Sequence, residues 1–317
     1  MPGNFYIDPH DPVEHAVITH GHSDHARGGH QKVIATPETL SIMELRLGQF
    51  SGGEKRGLSY GQSVRVGAVD VRLAPAGHIF GSAQIVIDYA GKRAVVSGDY
   101  KRSFDPTCTP FEVVECDLFV TEATFALPVF RHESDHHEIE KLLYSLKLFN
   151  QRTHQIGVYS LGKCQRLIML LRGAGYAEPI WLHGAMKSMC DYYVSRGFDL
   201  GELRLVSDTT DKLAGQIVLC PPSSLGDRWS RRFADPLPGF ASGWMRIRAR
   251  ARQRGVELPL IISDHADWSE LIQTIQDVDA REIWITHGRE DALVLKCEEL
   301  GLKARALALV GFEEEGD

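Results

Sequence analysis

Short apolar runs that each lead to an aspartate, a glutamate or a histidine recur along this chain and limit the folds open to it. The runs are rich in β-branched residues, which is typical of buried strands in a covered sheet. After a histidine-rich loop near the start, five such runs end at His78, Asp99, Glu122, His265 and His287. One such histidine alone is more often a core or loop residue. The ordered series argues against coincidence and predicts strands with functional residues at their ends.

The segments between these runs fit helices and hairpins. The stretch from Pro37 to Gly48 predicts a helix that stops at a glycine. Asp267 with Glu270 gives a capping-box pattern at the start of a helix that continues to Asp277. Alternating strands and helices predict an α/β (α+β) protein, in which an αββα sandwich is favoured over a helix bundle.

The histidine-rich loop lies in the sequence ITHGHSDHA, which runs from Ile18 to Ala26. Its metal-ligand residues are His20, His22, Asp24 and His25. The spacing H-x-H-x-D-H suits a two-metal site, in which the two alternate histidines face one cation and the Asp-His pair faces the next. Neutral imidazole and carboxylate are ligands that suit zinc and manganese. A histidine-rich surface loop is the alternative, but the ligand density favours metal-assisted hydrolysis.

Length and composition bound the class of protein. With 317 residues, 43% of them hydrophobic and 24% charged, the chain fits one large or two modest globular domains. It has no apolar stretch of transmembrane length, and its first residues lack a signal-peptide pattern. Six cysteines without a CxxC pair indicate reduced thiols, so we expect a cytoplasmic protein. The net charge of −7 does not exclude a nucleic-acid partner, because bound divalent ions would offset it locally.

Arginine alternates with other residues in one segment of the chain. These arginines are Arg246, Arg248, Arg250, Arg252 and Arg254. On a strand the period of two would place all five on one face, where they could follow a phosphate backbone, whereas a helix would scatter them. The alternative is an arginine-protected edge strand or a solvated face. We take the first three as candidates for contact with nucleic acid.

The segment from Tyr159 to Arg166 indicates a loop that opens a helix. Backbone N–H groups at this helix start, together with Ser160 and Lys163, would suit a terminal phosphate. Such a pocket would favour an exonuclease over an endonuclease. The alternative is an ordinary helix start with an exposed Lys163.

Four weaker signals remain. The cluster of His, Asp and Glu at 132–138 follows no strand, so it predicts a solvated helix start rather than a metal site. The segment 221–229 predicts a turn, with Trp229 as a candidate contact to bases. We expect Ser82 to be a turn residue, and His183 stays without an assigned role.

Several motifs together resemble a known family. His20-Gly-His22-Ser-Asp24-His25, then His78, then Asp99 in SGDY, resemble the metallo-β-lactamase fold. Glu122 in TEATF, His265 in SDHADW and His287 in THG resemble further motifs of its β-CASP nucleic-acid-processing branch. Across the whole chain the amino-acid sequence is similar to those of the bacterial ligase-associated DNA exonucleases, which are relatives of the DNA cross-link repair nucleases. The segments concerned are YIDP, ITHGHSDHARGGH, AGHIFGSAQ, SGDYKR, SLGKCQR, ASGWMRIR and SDHADW.

The resemblance implies two divalent cations, zinc or manganese or both. The implied ligands are His20, His22 and His78 for the first ion, Asp24, His25 and His287 for the second, and Asp99 as a bridge. Asp8 would orient the histidine loop, Glu122 would fix a histidine tautomer, and His265 would act as general acid at the leaving group. A purely structural role for His265 is the alternative. The implied catalytic residues are Asp24, Asp99, Glu122 and His265.

The resemblance also implies a metallo-β-lactamase domain interrupted by a β-CASP cap, with boundaries at 1–125, 126–255 and 256–317.

The expected function is a two-metal DNA exonuclease in repair, acting 5′-to-3′ on single-stranded DNA, with a DNA ligase or helicase as functional partner. An RNA-processing nuclease of the same branch is the first alternative. A small-molecule hydrolase is disfavoured by Glu122, His265 and the arginine-rich insert. A nucleic-acid-binding protein with a degenerate site is disfavoured because every ligand position is filled.

Overall fold

The computed structural model describes residues 3–233 and 235–307. The strands in these residues are β1 Tyr6–Ile7, β2 His15–Val17, β3 Lys32–Ala35, β4 Glu54–Gly57, β5 Ser63–Val66, β6 Val69–Pro75, β7 Ala83–Tyr89, β8 Lys92–Val96, β9 Leu118–Ala123, β10 Thr153–Gly157, β11 Ile180–Leu182, β12 Leu203–Leu205, β13 Ile217–Cys220, β14 Pro236–Ala241, β15 Leu258–Leu260, β16 Glu282–Gly288 and β17 Lys303–Ala306. The α-helices are α1 Pro37–Leu47, α2 Asp135–Leu148, α3 Lys163–Gly173, α4 Gly184–Ser195, α5 Arg248–Gln253, α6 Trp268–Asp277 and α7 Glu290–Glu299.

The chain divides into two compact units. The first joins Met1–Arg131 to His265–Asp317, and the second is the continuous segment His132–Asp264. The resemblance implies an insert at 126–255, and the second compact unit runs over a similar range, from His132 to Asp264. Helices and several sheets occur together, which confirms the mixed α/β class. None of the helices among the described residues is long and apolar enough to cross a membrane.

The first unit contains two sheets. One has the order β1-β2-β3-β4 and is parallel, and the other has the order β17-β16-β9-β8-β7-β6-β5. In the larger sheet, the strands from β17 to β8 are parallel and those from β8 to β5 are antiparallel. Val17 of the small sheet and Val71 and Ile85 of the large one belong to one buried cluster, so the two sheets pack face to face.

Helices cover the outer faces of both sheets in this unit. Leu40 and Met43 of α1 are buried in one cluster with Val33 of β3. On the other side, α6 and α7 pack on the large sheet, where Leu271 and Leu293 share a cluster with Ile283 of β16. The layers of the unit are thus helix, sheet, sheet and helix. Burial of apolar side chains along each interface is the main force that holds these layers together.

The two helix ends that the sequence indicates in this unit are confirmed. Helix α1 ends before Gly48, whose N–H donates to the carbonyl of Glu44. At the start of α6, Asp267 accepts from the N–H of Glu270, and Glu270 in turn accepts from the N–H of Asp267. This reciprocal pair satisfies backbone donors that a helix start otherwise leaves open.

The second unit is built on one parallel sheet with the order β12-β11-β13-β10-β14-β15. The apolar run at Leu258 that leads to His265 was expected in the second part of the first domain. It instead forms β15, which pairs with β14 in this sheet. Its backbone groups find their partners in the sheet of the inserted unit, before the chain returns to the first unit at His265.

The arginine segment is a helix rather than the strand that its period of two favours. A short 3₁₀ turn, Gly243–Arg246, leads into α5. Alanine and arginine both favour helices, and Ala251 is buried against Phe240 and Met245, which fixes this conformation. The arginines are therefore spread around the helix, and Arg254 packs over the ring of Phe240. The expectation of five guanidinium groups on one face is wrong.

Candidate metal centre

Strand ends of the first unit deliver the predicted metal ligands. His78 follows β6 and Asp99 follows β8, whereas His287 is the penultimate residue of β16. The loop of His20 to His25 follows β2 in the other sheet. Glu122 likewise lies inside its strand, as the penultimate residue of β9. All these strands except β2 belong to the seven-stranded sheet.

Two glycines keep the backbone close enough to form the site. Gly77 has a φ of 72°, and a Cβ atom there would lie 2.3 Å from the carbonyl oxygen of Lys101. Gly288 has a φ of 136°, and its Cβ atom would lie 2.3 Å from the carbonyl oxygen of Ala123. Backbone atoms cannot move aside as a flexible side chain can, so these positions beside His78 and His287 require glycine.

Six imidazole rings lie close together in this unit. The ring of His20 is 4.9, 4.1 and 4.7 Å from the rings of His22, His25 and His78, measured between centroids. His22 and His78 are 4.8 Å apart, His25 and His287 are 5.0 Å apart, and His78 and His265 are 4.7 Å apart. Such density of imidazole has no packing explanation, because each ring brings polar nitrogens into the interior.

Asp99 lies at the centre of these rings. Its Oδ2 atom is 3.5 Å from Nε2 of His20, 3.4 Å from Nε2 of His25 and 3.7 Å from Nε2 of His78. Asp24 faces the same nitrogen of His25, with its Oδ2 atom 3.6 Å from Nε2. One carboxylate thus faces histidines from both predicted ligand groups.

Asp8 and Thr19 set the orientation of two of the rings. Asp8 accepts hydrogen bonds from the N–H of Thr19 at 2.8 Å, from the Thr19 hydroxyl at 2.6 Å and from Nδ1 of His25 at 2.8 Å. Because the single hydroxyl proton of Thr19 goes to Asp8, the same oxygen accepts from Nδ1–H of His20 at 3.0 Å. Both histidines therefore carry a proton on Nδ1 and present Nε2 towards Asp99.

Burial and neighbouring charge shift the pKa values of this cluster in opposite directions. Burial, helped by the nearby His25, lowers the pKa of His20 well below its usual value. Burial likewise lowers the pKa of His287 to about 4. Burial also disfavours a charged His25, but Asp99 and the hydrogen bond to Asp8 outweigh it and raise the pKa of His25 to about 10. Burial raises the pKa of Asp99 to about 7, against the opposing effect of His25.

His265 and Glu122 form a second hydrogen-bonded pair at the site. Nδ1 of His265 lies 2.9 Å from Oε2 of Glu122, while Oε1 of Glu122 accepts from the N–H of Tyr100 at 2.8 Å. The hydroxyl of Thr124 donates to Oε2 at 2.5 Å. Glu122 is fully buried, whereas the side chain of His265 is 18% exposed. A fixed and buried carboxylate thus holds a partly exposed histidine.

The residues fit divalent cations. Ligand atoms of His20, His22, His78 and Asp99 all lie within 4.8 Å of one another. Nε2 of His20 is buried and has no hydrogen-bond partner among the described residues, which costs free energy unless a ligand takes its lone pair. Nδ1 of His22 lies 3.0 Å from Nε2 of His78, as two ligands of one ion would. Asp99, Glu122 and His265 form another close group, but hydrogen bonds already engage both oxygens of Glu122.

Two contributors to this site were missed from the sequence. Thr19 links Asp8 to His20, and Arg46 of α1 donates from its guanidinium to the carbonyl of Gly21 at 2.6 Å. The polar Thr19 between an apolar strand and the first histidine was the available signal. Nothing in the sequence pairs Arg46 with a loop 25 residues earlier. Ser82 is a turn residue, as expected, because its hydroxyl accepts from the N–H groups of His78 and Ile79.

The nucleic-acid candidates lie in the second unit. Helix α3 does begin at Lys163 after a loop, but the side chain of Lys163 is only 3% exposed and its Nζ is 2.5 Å from Oδ1 of Asp264. The alternative of an exposed lysine at this helix start is therefore wrong. Gly162, and not Ser160, caps the helix, and its N–H donates to the side chain of Gln165. Arg246 and Arg248 are exposed, whereas Arg250 is half-buried over the ring of Trp244.

The remaining motifs of this unit have structural roles. Ser134 caps α2, so the segment 132–138 is a helix start as predicted, although Glu138 is buried and pairs with Lys141. Among the described residues, no group close enough to hold an ion comes from this segment. His183 caps α4 by accepting from the N–H of Ala185. All six cysteines are free thiols, and four of them are buried.

The chain is similar in sequence to several known proteins. No family model matches the chain. The chain is 27% identical over 315 residues to a probable DNA ligase of Opitutus terrae, a match that covers 96% of this chain and 30% of that protein. It is 28% identical over 282 residues to cleavage and polyadenylation specificity factor subunit 3 of Dictyostelium discoideum, covering 72% of this chain and 36% of that protein. With ribonuclease TTHA0252 of Thermus thermophilus it shares 32% identity over 146 residues, covering 38% and 34%.

The chain spans only about a third of the length of these relatives. A solved structure from Enterococcus faecalis V583, described as a protein of unknown function, is similar with a TM-score of 0.62 and 13% sequence identity. That match covers 94% of this chain and 80% of the other chain. At this identity the likeness shows the fold alone.

Proposed function

We propose that this protein is a metal-dependent phosphodiesterase of the β-CASP branch of the metallo-β-lactamase fold, and that it digests DNA from an end. The observation that carries the proposal is the cluster of histidines around Asp99, with His265 held beside it by Glu122. The order of the motifs along the chain and the similarity to nucleases and to a probable DNA ligase support it.

In this proposal seven residues would hold two divalent cations, zinc or manganese. His20, His22 and His78 would hold one, Asp24, His25 and His287 would hold the other, and Asp99 would be a ligand shared by the two sets. When bound, such a pair of ions supplies a water nucleophile at neutral pH and offsets the charge that builds on phosphate oxygens. Asp8 and Thr19 contribute by holding the tautomers of His20 and His25, so that each presents a lone pair on Nε2.

His265 serves as the proton donor to the leaving oxygen. Glu122 accepts from Nδ1–H of His265, so Nε2 is the atom that would give up the proton in this proposal. The buried negative charge of Glu122 stabilises the protonated imidazole and fixes its ring. The three hydrogen bonds to Glu122 in turn keep its carboxylate in place.

DNA is the proposed substrate because the match to the probable DNA ligase extends over 96% of the chain. The second unit, His132–Asp264, is the proposed β-CASP cap, with boundaries close to the 126–255 inferred from sequence. Digestion of single strands in the 5′-to-3′ direction, in DNA repair with a ligase or helicase as partner, completes the proposal. RNA processing is the second candidate, favoured by the ribonuclease and cleavage-factor relatives.

Digestion of matched, end-labelled single-stranded DNA and RNA tests this proposal. The protein is loaded with manganese or zinc and compared with an Asp99→Ala variant, which removes the carboxylate shared by both ions. We expect metal-dependent shortening of DNA that is lost in the variant, with the position of the label giving the direction. Cleavage of RNA alone would establish the second candidate instead. Intact DNA and RNA with metal-loaded protein would contradict both.

A further inference from the structure

Two thiols of the second unit lie in contact in its interior. Cys164 is the second residue of α3, and Cys190 lies in α4, the next helix along the chain. Their Sγ atoms are 3.9 Å apart, and both residues are buried, with exposures of 0% and 1%. A disulfide holds its sulfurs about 2.0 Å apart, so these two would approach each other by about 1.9 Å. The proposed hydrolysis uses neither thiol.

The side-chain amide of Gln165 points an N–H group at Cys190. Oε1 of Gln165 accepts from the N–H of Gly162 at 2.9 Å, which establishes which end of the amide is the nitrogen. Nε2 then donates to the carbonyl of Ser160 at 2.9 Å and to Sγ of Cys190 at 3.4 Å. A neutral thiol is a weak acceptor, whereas a charged acceptor forms a stronger hydrogen bond. The buried amide therefore favours the thiolate form of Cys190.

The contact between the two sulfurs gives them different chemical roles. The hydrogen bond from Cys164 lowers the pKa of the Cys190 thiol, and the Gln165 amide adds to this effect against the opposing influence of burial. The same hydrogen bond, together with burial, raises the pKa of the Cys164 thiol. The thiolate is the nucleophilic form of cysteine. Cys190 is therefore the nucleophile of the pair, and Cys164 is the thiol that keeps its proton.

A metal site and simple packing account less well for this pair. Within the described part of the chain, no group close enough to hold an ion includes a cysteine. Packing alone does not require an amide donor beside the sulfur, because burial of that donor costs its hydrogen bonds to water. A nucleophilic thiol beside a second thiol is instead the arrangement of a resolvable oxidation site.

We propose that Cys164 and Cys190 form a reversible oxidation site, which hydrogen peroxide converts to a disulfide between α3 and α4. The Cys190 thiolate attacks one peroxide oxygen and the O–O bond breaks. This step leaves a sulfenic acid on Cys190 and a hydroxide, which takes up the proton that Cys190 had released. The sulfur of Cys164 then attacks the sulfenic sulfur, and its proton leaves with the hydroxyl group as water.

The two steps balance as one oxidation and one reduction. Two thiols are oxidised to a disulfide, and one hydrogen peroxide is reduced to two waters. Because both sulfurs are buried, the reaction needs a small oxidant that enters when this part of the unit opens locally. An added dithiol restores the two thiols by thiol–disulfide exchange.

Peptide mapping of peroxide-treated protein tests the proposal. The reduced chain is exposed to a small excess of hydrogen peroxide, denatured in N-ethylmaleimide and digested with trypsin without reductant. Trypsin cleaves after lysine and arginine, so the two cysteines fall in peptides 164–166 and 188–196. We expect mass spectrometry to find these peptides joined, lighter than their sum by two hydrogen atoms, and separated again by dithiothreitol.

The chain contains a matched control pair. Cys116 and Cys297, both in the described part of the chain, pack in one core cluster of the first unit, but no hydrogen bond joins their sulfurs. Their peptides should therefore stay separate. These readouts need neither metal nor nucleic acid, so they report on the thiols whether or not the proposed nuclease function holds.

Single substitutions separate the roles of the two thiols. In Cys164→Ser, nothing resolves the sulfenic acid, so dimedone should label Cys190 more strongly than in the unsubstituted protein. Cys190→Ser removes the nucleophile and should leave Cys164 unmodified. Cys220→Ser should keep the disulfide, because the S–H of Cys220 donates to the carbonyl of Ile156. Thermal melting verifies that each variant is folded.

Several results would overturn the proposal. One is a native protein whose thiols all survive peroxide, or whose oxidation elsewhere leaves peptides 164–166 and 188–196 separate. Another is a disulfide between these peptides that forms only in urea, or that is no more abundant than one between Cys116 and Cys297. Dimedone labelling of Cys164 in Cys190→Ser would overturn the assigned nucleophile.

Discussion

Asp8 organises the metal centre through hydrogen bonds, and its replacement by asparagine is the sharpest test of that role. Its carboxylate accepts from Thr19 twice and from His25 once, at 2.6 to 2.8 Å. The φ of Asp8 is 44°, a conformation that asparagine tolerates and alanine does not, so Asp8→Asn preserves the backbone. The amide keeps an oxygen for the N–H of Thr19 but places an NH₂ group where a carboxylate oxygen was.

Two losses follow from this change. The charge-assisted hydrogen bond to His25 contributes about 1.5–3 kcal/mol, so the metal-free variant should unfold with a free energy lower by about that amount. An NH₂ group also favours the tautomer of His25 that is protonated on Nε2, which cannot bind metal there. Loss of such an orienting partner weakens metal binding by about 10- to 100-fold, or about 1.4–2.7 kcal/mol.

The pH dependence of the stability difference gives a further measurement. The raised pKa of His25, about 10 in the folded protein against 6.5 for the free side chain, stabilises the fold fully below pH 6.5. This contribution disappears as the pH rises through about 10, so parent and variant should converge at high pH. Urea unfolding in EDTA at several pH values measures the difference, and competition with a chelating dye measures metal affinity.

Asp11→Asn is the matched control for this experiment. The side chain of Asp11 is 90% exposed and lies three residues from Asp8, so its change should alter neither stability nor metal affinity. If Asp8→Asn behaved like Asp11→Asn in both assays, the role assigned to Asp8 would be refuted. A loss of stability without any loss of metal affinity would leave Asp8 as a purely structural residue.

Three further predictions follow from the same contacts. Metal binding at pH 7 should release a proton from His25, which calorimetry in two buffers of different ionisation enthalpy detects; an equal heat in both buffers would contradict it. Thr19→Val should weaken metal binding at least about tenfold by freeing the Nδ1 of His20, and Thr19→Ser should restore it, as chelator competition would show. Burial raises the pKa of the Cys220 thiol to about 12, so iodoacetamide at pH 8 should label Cys220 only after denaturation; fast labelling of the native protein, followed by mass spectrometry, would count against this.

The parts of the fold and site that were predictable depend on local patterns. Apolar runs followed by a single polar residue located β6, β8 and β16, because strand burial and strand ends leave a signal within a few residues. The caps of α1 and α6 are equally local. The spacing of His20 and His22 on one loop likewise indicated a metal site. In the structure these two histidines lie close to His78 and Asp99.

The parts that were not predictable depend on distant residues. Lys163 is buried because it meets Asp264, which lies 101 positions later in the chain and gives no signal near the lysine. Strand β15, which begins at Leu258, belongs to the sheet of the second unit because it pairs there with β14. The sequence around Leu258 does not show which strand will be its partner. In the arginine segment, the period of two predicted a strand. The segment is a helix because the burial of Ala251 and the stacking of Arg250 on Trp244 favour that conformation. The hydrogen bonds that connect Asp8 through Thr19 to His20 could not be predicted from sequence, because they depend on which atom accepts each proton.

Anomalous diffraction from crystals of the manganese-loaded protein tests the central claim most directly. The account predicts two peaks about 3.5–4 Å apart on either side of Asp99. The contacts expected are His20, His22 and His78 at one peak, and Asp24, His25 and His287 at the other. A single peak, or a peak held by Asp99, Glu122 and His265 instead, would contradict the two-metal centre and the mechanism built on it.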